Sequence, residues 1–196
     1  MTTGRYNRVR PFHTTASPSM DILISSNLER LLFHLAGNDS EKTKALFAAL
    51  AEKGEYTVDA AMLEKIRSLF AAGSTDDAGT KATIAKTFAE NGYLCDTHTA
   101  VAVHVYDDYR ARTGDTAPAV IASTASPYKF SRAVLGAVTG ESFSADNEFD
   151  MVTELEEKTG FAAPEQLKTL KGKTPRFTGV CTQAEMVDRV YDLLGL

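Results

Sequence analysis

The sequence is short of four things, and each shortage removes a class of protein. Cysteine occurs only as Cys95 and Cys181 in 196 residues. The two lie far apart without CxxC spacing, so neither a disulfide framework nor a structural zinc site has support, and a reducing, cytoplasmic setting is expected. No apolar run approaches the roughly 20 residues that span a bilayer, and the polar start MTTGRYNRVRPF lacks the apolar segment of a secretory signal. No membrane is expected as a partner. Positive charge is also in deficit: 21 basic against 26 acidic residues give −5. No basic cluster longer than the stretch from Lys168 to Lys173 interrupts the mixture, which argues against nucleic acid. The four histidines, at 13, 34, 98 and 104, include no i, i+4 pair, so no metal site is expected. What is present is ordinary: 43% apolar and 24% charged residues suffice for a substantial core, read as one unit over 1–196.

The apolar pattern is mostly helical. Leu28, Leu31, Leu32 and Leu35 recur at helical spacing from Asn27, with Ser26 as N-cap and Gly37 as stop. Further helices are expected from Ser40 to Lys53, Asp59 to Ala72, Asp76 to Asn91, and from Asp96 to Gly114. The first 25 residues, with Pro11 and Pro18, read as extended segments and turns. After Gly114 the period changes. Pro118 to Ala122 is a short continuous apolar run, as in a buried strand of a parallel sheet, and Ser126-Pro127 then opens a helix. Met151 to Lys158 is expected to be helical, Arg176 to Cys181 a last strand, and Gln183 to Leu194 a last helix. Two or three strands against about eight helices is an imbalance. Either the chain is mainly helical with a minor sheet, or its strands complete a sheet whose remainder lies on another polypeptide segment.

Several motifs imitate chemistry without its context. Ser126-x-x-Lys129, Ser144 with Asp146 and Asn147, and Lys158-Thr159-Gly160 are similar to the serine acyl-transferase signature. There the last motif must lie on a strand lining the site, whereas here Lys158 and Thr159 finish a helical pattern that Gly160 stops. Gly172-Lys173-Thr174 is similar to the end of a P-loop, but Leu167 stands where the upstream glycine belongs and Pro175 follows.

Four ordered blocks are far more specific. They are Ser17-Pro-Ser-Met-Asp-Ile-Leu-Ile-Ser-Ser-Asn-Leu-Glu-Arg-Leu-Leu32, Asp76-Asp-Ala-Gly-Thr80, Asp96-Thr-His-Thr-Ala-Val-Ala102 and Ser123-Thr-Ala-Ser-Pro-Tyr-Lys-Phe130. Together they resemble the C-terminal portion of the long form of threonine synthase, from about Thr3 to about Cys181. The resemblance implies a helix-rich α/β fold, the rear of a fold-type II pyridoxal 5'-phosphate enzyme with a small, incomplete parallel sheet. It also implies conversion of O-phospho-L-homoserine and water to L-threonine and phosphate.

That chemistry needs a Schiff-base lysine, a glycine-rich cradle for the cofactor phosphate and a partner for the pyridine nitrogen. No Ser-Phe-Lys-Asp-like lysine segment and no Gly-Asn-rich cradle occurs in these residues, so no catalytic residue is nominated and the isolated chain is expected to be inactive. By the resemblance Thr124 faces the pyridine nitrogen. Its position just past an apolar run suits a ligand at the carboxyl end of a strand. Ser26 and Asn27 at a helix start, with Arg30 one turn on, are the candidates for the substrate phosphate, and His98 is a further substrate-binding candidate. Lys129 matches no Schiff-base position. The implied partner is a lysine-bearing N-terminal portion on another chain. The other reading is a non-catalytic interaction or regulatory module derived from this fold.

Overall fold

The computed structural model describes residues 1–143 and 147–196. They form two compact units, Met1–Ala163 and Pro164–Leu196, where the sequence pattern suggested one. The smaller unit holds a short helix, α8 (Glu165–Lys168), and an amphipathic helix, α9 (Met186–Leu194). None of its residues is buried, so it has no core of its own.

The larger unit has two lobes. The first contains β1 (Arg5–Asn7), α1 (Asn27–Leu35), α2 (Ser40–Lys53), β2 (Glu55–Thr57) and α3 (Ala60–Leu69). Its core is Leu32, Leu35, Leu50, Tyr56, Val58, Met62 and Ile66. The second contains α4 (Asp77–Asn91), α5 (Thr97–Thr113), α6 (Ser131–Thr139) and α7 (Glu148–Thr159). In it α4 packs on α5 and α6, and α6 on α7, burying Ile84, Val134, Leu135 and Leu155 completely. No helix among the described residues is long and apolar enough to cross a membrane.

Aspartates start α2, α3, α4 and α5. Asp39, Asp59, Asp76 and Asp96 each accept a backbone N–H of the first turn, from Lys42, Met62, Gly79 and His98. Each cap satisfies a donor the helix cannot, and a carboxylate also suits the positive end of the helix dipole. Glycines in the left-handed region end α2, at Gly54, and α5, at Gly114, a conformation that costs other residues a clash at Cβ.

The helix-rich α/β class stands, with a small sheet, but the strands are not those expected. Among the described residues the sheet is the antiparallel pair β1 and β2, in register Tyr6↔Tyr56. Three residues are too few to show alternation in a sequence. Stacking of Tyr6 on Tyr56, with ring centroids 5.4 Å apart, and the Arg5–Glu55 ion pair hold them. Pro118–Ala122 and Arg176–Cys181, expected as strands of a parallel sheet, are unpaired. A strand needs a neighbour for its backbone groups, and these segments have none here. Val120 is 99% exposed and Val180 97%.

The Tyr56 hydroxyl is buried without a hydrogen-bond partner among the described residues, a cost the fold carries for the aromatic stack. Tyr56→Phe is therefore expected to stabilise the chain by about 1 kcal/mol. Burial pushes the Tyr56 phenol from 10.0 up to about 12, and burial together with the neighbouring Asp96 pushes the Cys95 thiol from 9.0 up to about 11. The unfolded chain loses both protons first, so this stability is complete below pH 9 and drains away as pH rises through 11 and 12. Urea midpoints across that range should fall less steeply for the pair Tyr56→Phe and Cys95→Ala; parallel profiles would contradict the assignment.

Candidate functional site

The start of α5 is built around Asp96, which is fully buried. Its Oδ1 accepts the backbone N–H of His98 at 2.8 Å and of Thr99 at 3.3 Å, and the Thr99 hydroxyl bonds its Oδ2. Ser123 Oγ lies 3.1 Å from Thr99 Oγ1 and 3.2 Å from the Tyr93 hydroxyl. Thr99 has one proton and a carboxylate is the stronger acceptor. Ser123 accordingly donates to Thr99 and accepts from Tyr93. A relay of hydroxyls thus ties the loop at Ser123 to a buried charge, and Thr124 is the next residue along. Thr124 is exposed, and its hydroxyl makes no hydrogen bond among the described residues, so it is free to meet a ligand.

His98, the second residue of α5, reaches the other way. Its Nδ1 bonds Ser17 Oγ and lies 3.2 Å from Thr97 Oγ1, while its ring sits 4.7 Å from that of Phe130. Its Nε2 is buried with no partner among the described residues. The backbone N–H of Ala16 donates to Asp77 Oδ1 at 2.8 Å. Three of the sequence blocks therefore meet, Ser17 from the first, Asp96 to Thr99 from the third and Ser123 to Phe130 from the fourth, and Asp77 of the second bonds Ala16, the residue just before the first.

Ser26, Asn27 and Arg30 stand apart from this junction. They are exposed on the first lobe, and no hydrogen bond, ion pair or ring contact among the described residues joins them to His98 or Thr124. Ser26 occupies the N-cap position of α1 but has helical backbone angles (φ −66°, ψ −25°) and makes no side-chain cap bond, which corrects its reading as a cap. A capping side chain reaches back to N2 or N3 from an extended backbone; here the hydroxyl stays free. Arg30 Nη2 donates to Asn27 Oδ1 at 2.9 Å. Ser26 and Arg30 line a cleft of about 820 Å³ shared with Phe33, His34 and Lys44.

The junction adds Ser17, Thr99, Ser123 and Tyr93 to the nominated residues. Ser17, Thr99 and Ser123 stand inside the quoted blocks, but a sequence does not reveal which hydroxyls face one another. The imitation of a serine acyl-transferase resolves as caps: Ser126 accepts the Tyr128 N–H, and Gly160 closes α7 in the left-handed region. Ser144 and Asp146 lie outside the described residues. The exposed Thr124 hydroxyl, unbonded among the described residues, has the chemistry to meet a polar ligand atom such as a ring nitrogen. Lys129 Nζ lies over the Phe130 ring, 5.6 Å from its centroid.

A family model described as "Threonine synthase, C-terminal" matches residues 99–190. Threonine synthase of Pseudomonas aeruginosa is 36% identical over 141 residues, which is 72% of this chain and 29% of that protein. The crystal structure of yeast threonine synthase superposes with a TM-score of 0.79 at 30% identity, covering 100% of this chain and 39% of that one. The pyridoxal-phosphate-bound threonine synthase of Brucella melitensis gives 0.73 at 34% identity, covering 96% of this chain and 36% of that one. The chain thus spans well under half the length of the proteins it matches.

Proposed function

We propose that the chain, which is similar to the C-terminal portion of threonine synthases, supplies the rear wall of a pyridoxal phosphate site. The reaction is conversion of O-phospho-L-homoserine and water to L-threonine and phosphate, a step of cytoplasmic amino-acid biosynthesis. The observation that carries this reading is the meeting of three of the family blocks at one junction, with the second tied in through Ala16, beside a threonine hydroxyl left free.

Pyridoxal phosphate, when bound, supplies an electron sink for elimination of phosphate and addition of water. Thr124 meets the pyridine nitrogen. A neutral hydroxyl, unlike a carboxylate, does not hold that nitrogen fully protonated, which tempers the sink and suits elimination and replacement. Ser26, Asn27 and Arg30 take the substrate phosphate through hydroxyl, amide and guanidinium. His98 serves the substrate side from the start of α5. The lysine and the phosphate cradle come from a front portion of the fold.

The test is phosphate release from O-phospho-L-homoserine with cofactor present. The isolated 196-residue chain should release none, and the chain co-expressed with the front portion of the P. aeruginosa relative should turn over. Turnover by the lone chain, or a stable but inert complex, would refute the reading.

A further inference from the structure

Thr124 is exposed, yet the backbone that carries it is anchored on both sides. On one side stands Ser123, whose Oγ lies 3.2 Å from the Tyr93 hydroxyl and 3.1 Å from Thr99 Oγ1. Those two residues flank the Asp96 cap of α5, and the chain between them is buried from Leu94 to Thr97. Ser123 is thereby tied to packed structure. On the other side, Ser126 Oγ accepts the Tyr128 N–H at 3.3 Å. Tyr128 is 5% exposed and donates its hydroxyl to the Phe161 carbonyl. Only Ala125 lies between Thr124 and that second anchor. The relay also fixes where the protons go. Thr99 gives its one proton to the Asp96 carboxylate, so Ser123 gives its own to Thr99, and a lone pair of Ser123 takes the proton of Tyr93. Of the two adjacent hydroxyls, that of Ser123 points its proton inward, and that of Thr124 keeps one for a ligand acceptor.

We propose that Ser123 is a positioning residue for the Thr124 hydroxyl. The relay Asp96–Thr99–Ser123 fixes the backbone that carries Thr124 and turns the neighbouring Ser123 proton away, so that a ring nitrogen meets one donor in one place. The inference rests on the function proposed above for the identity of that ligand. Ordering this backbone during folding removes an entropic cost from the later meeting with the ligand, which is the general advantage of a preorganised donor. Ser123 itself touches neither cofactor nor substrate; it acts through Thr124.

The experiment compares Ser123→Ala, which cuts the relay, with Ser123→Thr, which keeps the hydroxyl. Ser123 is exposed and the Thr99–Asp96 bond stays in place, so both variants should fold and melt nearly as the original does. In the full chain alone, NMR relaxation of the backbone amides should give order parameters near about 0.85 at Ser123 and Thr124, falling below about 0.6 in Ser123→Ala and restored in Ser123→Thr. In the enzyme assembled with the front portion of the P. aeruginosa relative, Ser123→Ala should lower kcat roughly 5- to 30-fold with the KM for O-phospho-L-homoserine unchanged. It should also shift the cofactor's absorption band in the same direction as Thr124→Val. The double variant Ser123→Ala/Thr124→Val should be no slower than Thr124→Val, because the hydroxyl through which Ser123 acts is already gone. Additive losses, or unchanged order parameters in the lone chain, overturn the positioning role. A rate and band that respond to Thr124→Val and not to Ser123→Ala overturn it too, and leave the cofactor reading standing. Indifference to both variants refutes the cofactor reading and the proposal with it.

Discussion

Asp96→Ala is expected to destabilise the chain by roughly 2–4 kcal/mol. The carboxylate is fully buried and is the acceptor for two backbone N–H groups and the Thr99 hydroxyl. Removing it leaves those donors in the interior with no water to replace it, and removes a negative charge from the positive end of a long helix. For a chain of this size each kcal/mol corresponds to about 2–4 °C in Tm, so the loss is easily seen by thermal melting. Asp96→Asn separates the causes. Its amide oxygen can still cap the helix and its NH2 can donate to Thr99, so most of the stability should return. An alanine variant that melts like the original would show that the buried acceptor contributes nothing.

Thr124→Val acts one residue past the Ser123 end of that relay and should leave stability almost untouched, because the side chain is exposed and its hydroxyl is unbonded among the described residues. In the assembled enzyme it should lower turnover about 10- to 100-fold, the effect of one lost hydrogen bond to a charged or polarised group. Thr124→Ser, which keeps the hydroxyl, should recover most of that loss. The cofactor's absorption band is an independent readout. A valine variant that shifts neither the band nor the rate would remove Thr124 from the pyridine nitrogen.

Helices were legible in the sequence where they carry their own punctuation. Asp39 and Gly54 bracket α2 (Ser40–Lys53) as the pattern predicts, and Asp96 and Gly114 bracket α5. Strands were not, for two opposite reasons. Arg5–Asn7 and Glu55–Thr57 pair across about fifty residues with too few positions to alternate. Pro118–Ala122 has the composition of a strand and no partner to make it one. The site divides similarly. Family blocks nominated Thr124 and His98, whereas the contacts around them, Ser17 to His98 and Ser123 to Thr99, link residues 81 and 24 positions apart. Pairings that distant have no local signature.

The Ser17–His98 bond also bears on how the larger unit folds. Each lobe draws its core from one continuous stretch, residues 5–69 and 77–163, so its contacts close shorter loops than the bond between the lobes does, the β1–β2 pairing spanning about fifty residues. The bond from Ser17 to His98 closes a loop of about eighty residues, whose entropy must be overcome for little more than one hydrogen bond. It is therefore expected to form last, after both lobes have collapsed. Ser17→Ala should then accelerate unfolding while leaving the folding rate nearly unchanged, so a contact at the heart of the site governs the lifetime of the folded chain more than its speed of formation.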